Sequence, residues 1–168
     1  MSRSGYSYED DDPAGGLWRG AVRRAIRGKR GQAALRELLK AMDTMPKKAL
    51  AAKSLVTEDG EFCTLGVLGV ARGLNLGQID PYDWDAVAAA FNIAPAMARE
   101  IFYENDECAK YCEWVQFELC GPVRPGYPDF GRHTRYVRVD FPAESLGYRR
   151  WLHMHQWVES NLKKGLFE

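Results

Sequence analysis

The sequence lacks any apolar run near the roughly 20 residues that span a bilayer, so no membrane segment is expected. Its opening stretch, "MSRSGYSYEDDDPAGG", lacks the apolar centre of a secretory signal, which points to a cytoplasmic chain. There is no GK[ST] of a phosphate loop, no HExxH of a metalloprotease helix and no GxSxG of a nucleophile elbow. His153 and His155 stand two apart, and on a helix such side chains diverge by about 200° and share no metal. Cysteine is sparse: Cys63, Cys108, Cys112 and Cys120 have no secretory context to oxidise them, so reduced thiols are expected. With His133 the last three read C-x3-C-x7-C-x12-H, which lacks the CxxC knuckle of a zinc site. We expect no catalytic residues, no metal and no cofactor, and therefore not an enzyme.

One segment lacks negative charge altogether. Residues 16–32, "GLWRGAVRRAIRGKRGQ", carry Arg19, Arg23, Arg24, Arg27, Lys29 and Arg30 with no Asp or Glu, although the whole chain is formally neutral. The opposite bias lies in 80–107, where Asp80, Asp83, Asp85, Glu100, Glu104, Asp106 and Glu107 face one base, Arg99. Two readings follow. The patches face each other or stand solvated, where exposed pairs are worth about 0–1 kcal/mol. Alternatively, each meets a charged partner of its own. The six cations are the candidate partner-binding or nucleic-acid-binding residues, and Asp83, Asp85, Glu100, Glu104, Asp106 and Glu107 form a candidate acidic face.

Periodicity predicts a mainly α protein: a compact helical domain with a short β-hairpin and a β-ribbon insert. A flexible acidic arm over 1–16 precedes a helical core over 17–107, a ribbon insert over 108–141 and a C-terminal helix within 142–168 that packs on the core. Leu17, Trp18, Ala21, Val22, Ala25 and Ile26 make an apolar stripe on a first helix, while Arg19, Arg23 and Arg27 make a charged one. Gly28 and Gly31 are read as a break around Lys29 and Arg30, with a second helix over 32–45 and a further short helix in "PKKALAAKSL". Asp59-Gly60 signals a hairpin. Gly66, Gly69 and Gly73 suit close helix packing rather than a phosphate cradle. Asp80-Pro81 reads as a cap and first helical residue. "VAAAFNIAPAMAREI" has helix-turn-helix spacing, yet its second helix offers one Arg before "ENDE", so it reads as a structural hairpin. "WVQFEL" and "TRYVRVDF" alternate as strands of the ribbon. Its Arg124, Arg132, Arg135 and Arg138 beside Tyr127 and Tyr136 would suit a single strand of nucleic acid, or an ordinary charged hairpin edge. A last helix over 143–164 is anchored by Trp151, Val158 and Leu162.

Four runs, taken together, carry a resemblance: "WRGAVRRAIRGKRGQAALRELLKAMDTMP", "FCTLGVLGVARG", "DPYDWDAVAAAFNIAPAMAREIFYENDE" and "RRWLHMHQWVESNL". With its RGKRGQ-like turn, CxLGxLGxARG segment and IxYxNDE helix end, the chain resembles a family of small bacteriophage and prophage proteins. The insert over 108–141 departs from that family's compact pattern. The resemblance implies a non-catalytic interaction protein, such as an anti-CRISPR or other anti-defence inhibitor that occludes a host protein or nucleoprotein complex. The alternative expectation is a small DNA- or RNA-binding regulator that uses the basic first helix.

Overall fold

The chain turns back on itself at Gly28, and the helices on either side of that turn set the layout of the rest. The structure is a computed structural model that describes Ser4, residues 14–121, Gly126 and residues 132–163. The acidic arm up to residue 13, apart from Ser4, lies outside the described residues, as do Arg124, Tyr127 and the side chains of Cys120 and Arg132; residues 14–16, expected to end the arm, instead open the first helix. Among the described residues, six α-helices, α1 (Ala14–Arg27), α2 (Lys29–Thr44), α3 (Thr64–Ala71), α4 (Trp84–Ala90), α5 (Pro95–Tyr103) and α6 (Ala143–Asn161), are joined by one antiparallel ribbon of β1 (Cys112–Cys120) and β2 (Arg132–Asp140). The protein is mainly α with a small β part. Among the described residues no helix is long and apolar enough to cross a membrane.

The apolar stripe of α1 buries Val22 and Ile26, and the next stripe along the chain, on α2, buries Ala34, Leu35, Leu38 and Met42. Each large side chain removed from water contributes roughly 1.5–3 kcal/mol. α1 packs on α2 and α5, and α2 packs on α3 and α6. The second helix begins at Lys29 rather than at 32, because only Gly28 is a break. Gly31 lies inside α2, and a Cβ there would stand 2.1 Å from the Ala25 carbonyl oxygen. Glycine therefore lets the start of α2 press against the end of α1. Gln32, 4% exposed, fastens the bend. Its Nε2 donates to the carbonyls of Ile26 and Asn161 at 2.9 Å each, and its Oε1 accepts from the Lys163 amide at 2.8 Å.

α3 is apolar all round and buries Thr64 through Gly69. Its glycines serve close approach: a Cβ on Gly66 would meet the Leu55 carbonyl oxygen at 2.0 Å, and one on Gly69 would meet Leu76 Cδ2 at 2.4 Å. Gly73, at φ +70°, ends the helix. Its amide donates to the Val70 carbonyl and the Leu74 amide to the Gly69 carbonyl, which is a Schellman closure.

Three local expectations change. The expected helix in "PKKALAAKSL" is absent. That segment spends its amides on distant partners, Leu50 on the Gly147 carbonyl and Ala51 on the Phe62 carbonyl, and Lys53 sits at φ 63°. The short hairpin expected at Asp59-Gly60 is reduced to a single antiparallel bridge, Val56 to Phe62. Helix α4 starts three residues after Pro81: Asp83 caps it by accepting from the Asp85 and Ala86 amides, while Asp80 holds a turn by accepting from the Tyr82 amide. The α4–α5 turn follows the sequence reading, with Asn92 at φ 46° in the left-handed region.

Alanine at Gly66 forces backbone to move at the Leu55 carbonyl. We expect Gly66→Ala to cost about 1–3 kcal/mol, read as a lower midpoint of urea unfolding. Gly20→Ala, with nothing within 4 Å of its new Cβ, is expected to be neutral or slightly stabilising in the same measurement.

Candidate functional site

The charged stripe of α1 turns away from the core because Val22 and Ile26 on the opposite side are drawn into it. Arg19, Arg23, Arg24, Arg27, Lys29 and Arg30 are all exposed, and among the described residues none has a side-chain hydrogen bond or ion pair. Arg24, Lys29 and Arg30 rim a concavity of about 230 Å³ floored by Gly28, Gly31 and Ala94. Arg24 and Arg27 lie in the last turn of α1, where a cation suits the helix dipole. Lys29 and Arg30 lie in the first turn of α2, where it does not. That turn contains no acidic residue, and the capping Gly28 has no side chain to bond the free amides. The structure thus sets Arg24, Arg27, Lys29 and Arg30 at the bend and extends their charge back along α1 through Arg23 and Arg19.

The six candidate acidic residues are placed otherwise. Asp83 is the α4 cap and Asp85 is exposed in the first turn of that helix. Glu100 is half-buried on α5. A π-turn over Glu104–Cys108 then continues α5 and turns the next three carboxylates toward the protein itself. Glu104 Oε2 lies 2.8 Å from His153 Nε2, Asp106 Oδ1 accepts from the Lys53 amide at 3.1 Å, and Glu107 Oε1 accepts from Ser4 Oγ at 2.6 Å. Arg99 is held between the rings of Trp18 and Trp84, 4.2 Å from each, and its Nε donates to the Ser4 carbonyl. This base ties α5 to α1 and α4 rather than to a ligand. The cationic bend and the acidic segment are not sealed against each other.

Asn105, wholly buried, is the residue that sequence reasoning missed. Its Oδ1 accepts from the Thr64 amide at 3.1 Å and the Thr64 hydroxyl at 2.7 Å; its Nδ2 donates to the Ala51 carbonyl at 3.0 Å and to Asp106 Oδ1 at 2.7 Å. Its own carbonyl accepts from Arg150 Nε at 3.0 Å. The only sequence sign was an amide set among carboxylates in "ENDE". Five of the nine α5 residues are buried, Ala96, Met97, Ala98, Ile101 and Phe102, and the outer ones supply a single cation, Arg99, which is held by Trp18 and Trp84.

No three His, Cys, Asp or Glu side chains converge for a metal among the described residues. His153 turns to Glu104, while His155 Nε2 lies 2.8 Å from Asp43 Oδ1. Cys63, Cys108 and Cys112 are free thiols. Burial, reinforced by Glu104, pushes the Cys108 thiol up to about 11, which makes it a poor nucleophile at neutral pH. No family model, curated protein or solved structure matches the chain.

Truncating Asn105 strands buried groups on two segments. Asn105→Ala is expected to cost about 2–4 kcal/mol in chemical unfolding, whereas Asp85→Ala, on the surface, is expected to stay within about 0.5 kcal/mol. Cys108 gives a second expectation. Its folded pKa of about 11 exceeds the ordinary 9.0, so the folded state holds the extra proton between those values and loses stability as pH rises through the window. The thermal midpoint of Cys108→Ala is expected to fall less steeply over the same range.

Proposed function

We propose that this is a non-catalytic binding protein whose cationic α1–α2 bend occupies a polyanionic site on a larger partner. The observation that carries this reading is the set of six exposed, unpaired cations along α1 and the bend that follows it. Two of them, Lys29 and Arg30, stand against the dipole of α2, at a cost of about 0.3–1 kcal/mol each. Stability alone would favour Asp or Glu there. A local rule broken without a folding gain is a mark of function. The resemblance to phage and prophage proteins supplies the setting: a cytoplasmic inhibitor of a host defence complex, anti-CRISPR or another anti-defence type, acting by occlusion. In this reading the partner is a host protein or nucleoprotein complex, and no membrane, metal or cofactor takes part. Asp85, exposed in the first turn of α4, is a minor second contact.

A second reading, a small DNA- or RNA-binding regulator, rests on the same cations. A salt titration separates the two. A regulator binds free duplex or single-stranded oligonucleotide with a log–log salt slope of about −0.9 per duplex phosphate neutralised, and Arg23→Glu/Arg27→Glu abolishes that binding. An inhibitor co-purifies with its complex from prophage-carrying cells and loses it on the same double reversal, with no need for affinity toward free nucleic acid. Retention of every partner by the reversed protein rejects both. Lys29→Glu gives a sharper expectation: it raises fold stability by up to about 1 kcal/mol while it weakens partner binding.

A further inference from the structure

Two helix ends converge on one side chain. α1 ends at Arg27 and α6 at Asn161, and the last carbonyls of a helix have no partner within it. Gln32, one turn into α2 and buried, meets one carbonyl from each end. Its Nε2 gives one hydrogen to the Ile26 carbonyl and the other to that of Asn161, at 2.9 Å each, and its Oε1 takes the Lys163 amide at 2.8 Å. A side-chain amide is small and planar, so these bonds stand or fall together. With the Lys163 donor withdrawn, Oε1 is left unmet in the interior. Turning the side chain toward water to satisfy it strips Ile26 and Asn161 of their donors. The Ile26 carbonyl oxygen lies 2.8 Å from where a Cβ on Gly31 would stand, at the place where the start of α2 presses on the end of α1. Losing Gln32 there removes a side-chain tie across the bend. The bend is then left to its backbone bonds, the Gly28 amide to the Arg24 carbonyl and the Gln32 amide to the Gly28 carbonyl, 2.9 Å each.

We propose that Gln32 is a positioning residue for the cationic bend, and that through it the C-terminal end of α6 controls the angle at which Arg24, Lys29 and Arg30 are presented. The positioning role rests on the bend being the binding surface; the coupling between the two helix ends does not. Such a coupling is reciprocal. Whatever frees Lys163 loosens the bend, and whatever steadies the bend holds the end of α6.

Amide hydrogen exchange of the full chain, followed by nuclear magnetic resonance, tests the coupling. Lys163→Pro removes the donor, and Leu162, at φ −71° and ψ 131°, already has the extended backbone that a following proline needs. The amides of Gly28 and Gln32 are expected to exchange about three- to tenfold faster. Those of Val67 and Phe91, bonded to the Cys63 and Val87 carbonyls, are expected to keep their wild-type rates. Lys163→Ala keeps the donor and is expected to match wild type. Gln32→Met, similar in length but without the amide, is expected to speed the two bend amides at least as much as Lys163→Pro. Equal acceleration at all four amides in Lys163→Pro, or none at Gly28 and Gln32, overturns the proposal. Immobilised heparin, a polyanion, tests the positioning. Compared with Lys163→Ala, which loses the same charge, Lys163→Pro is expected to bind about two- to fivefold more weakly. Its salt slope is expected to be the same, because the six cations remain. A loosened bend that binds heparin as well as Lys163→Ala removes the positioning role. Wild-type protein that ignores heparin at low salt rejects the bend as a binding surface, and the coupling is then decided by exchange alone.

Discussion

The buried amide of Asn105 decides where the polypeptide can sit. It bonds the start of α3, the extended segment at Ala51 and the adjacent Asp106, and its carbonyl receives Arg150 from α6. Within a low-dielectric interior each of these bonds is stronger than it would be in water, and each unmet partner would be correspondingly costly. The π-turn exists at the point where the amide must enter the core. Once it does, the neighbouring carboxylates are carried to His153, to the Lys53 amide and to Ser4. What reads as an acidic patch in one dimension becomes the fastening of the core in three.

That outcome bears on the neutral charge total. Positive and negative residues balance in number but not in use. Much of the negative charge is spent on caps and internal contacts, while the cations of the bend are left to solvent. Net charge carries no information about this division, because hydrogen-bonding partners and not totals determine which charges remain available.

Legibility from the sequence followed period. The stripes of α2 and α5, the strands, the Asn92 turn and the stripe of α1 apart from Leu17, which stands 78% exposed, are signals confined to a few neighbouring residues, and they were read correctly. The misreadings fall where long-range bonds override local preference. "PKKALAAKSL" has helical composition but gives its amides to Gly147 and Phe62. Gly31 looks like a breaker because nothing in one dimension reveals the Ala25 carbonyl beneath it. Asp80 and Asp83 are both competent caps, and only the geometry of the turn assigns one to the helix. Of the candidate site, the cations and their exposure were legible; the roles of Glu104, Asp106 and Glu107 were not, since their partners lie about 50 or more positions away or farther.

Gln32 has a mechanical consequence. Through Asn161 and Lys163 it latches the angle between α1 and α2 to the far end of α6, more than 100 positions along the chain. The bend cannot open without releasing that latch, so the arginine-bearing wedge arrives already set. Little ordering of the backbone remains to be done on contact, which removes one of the main entropic penalties of association.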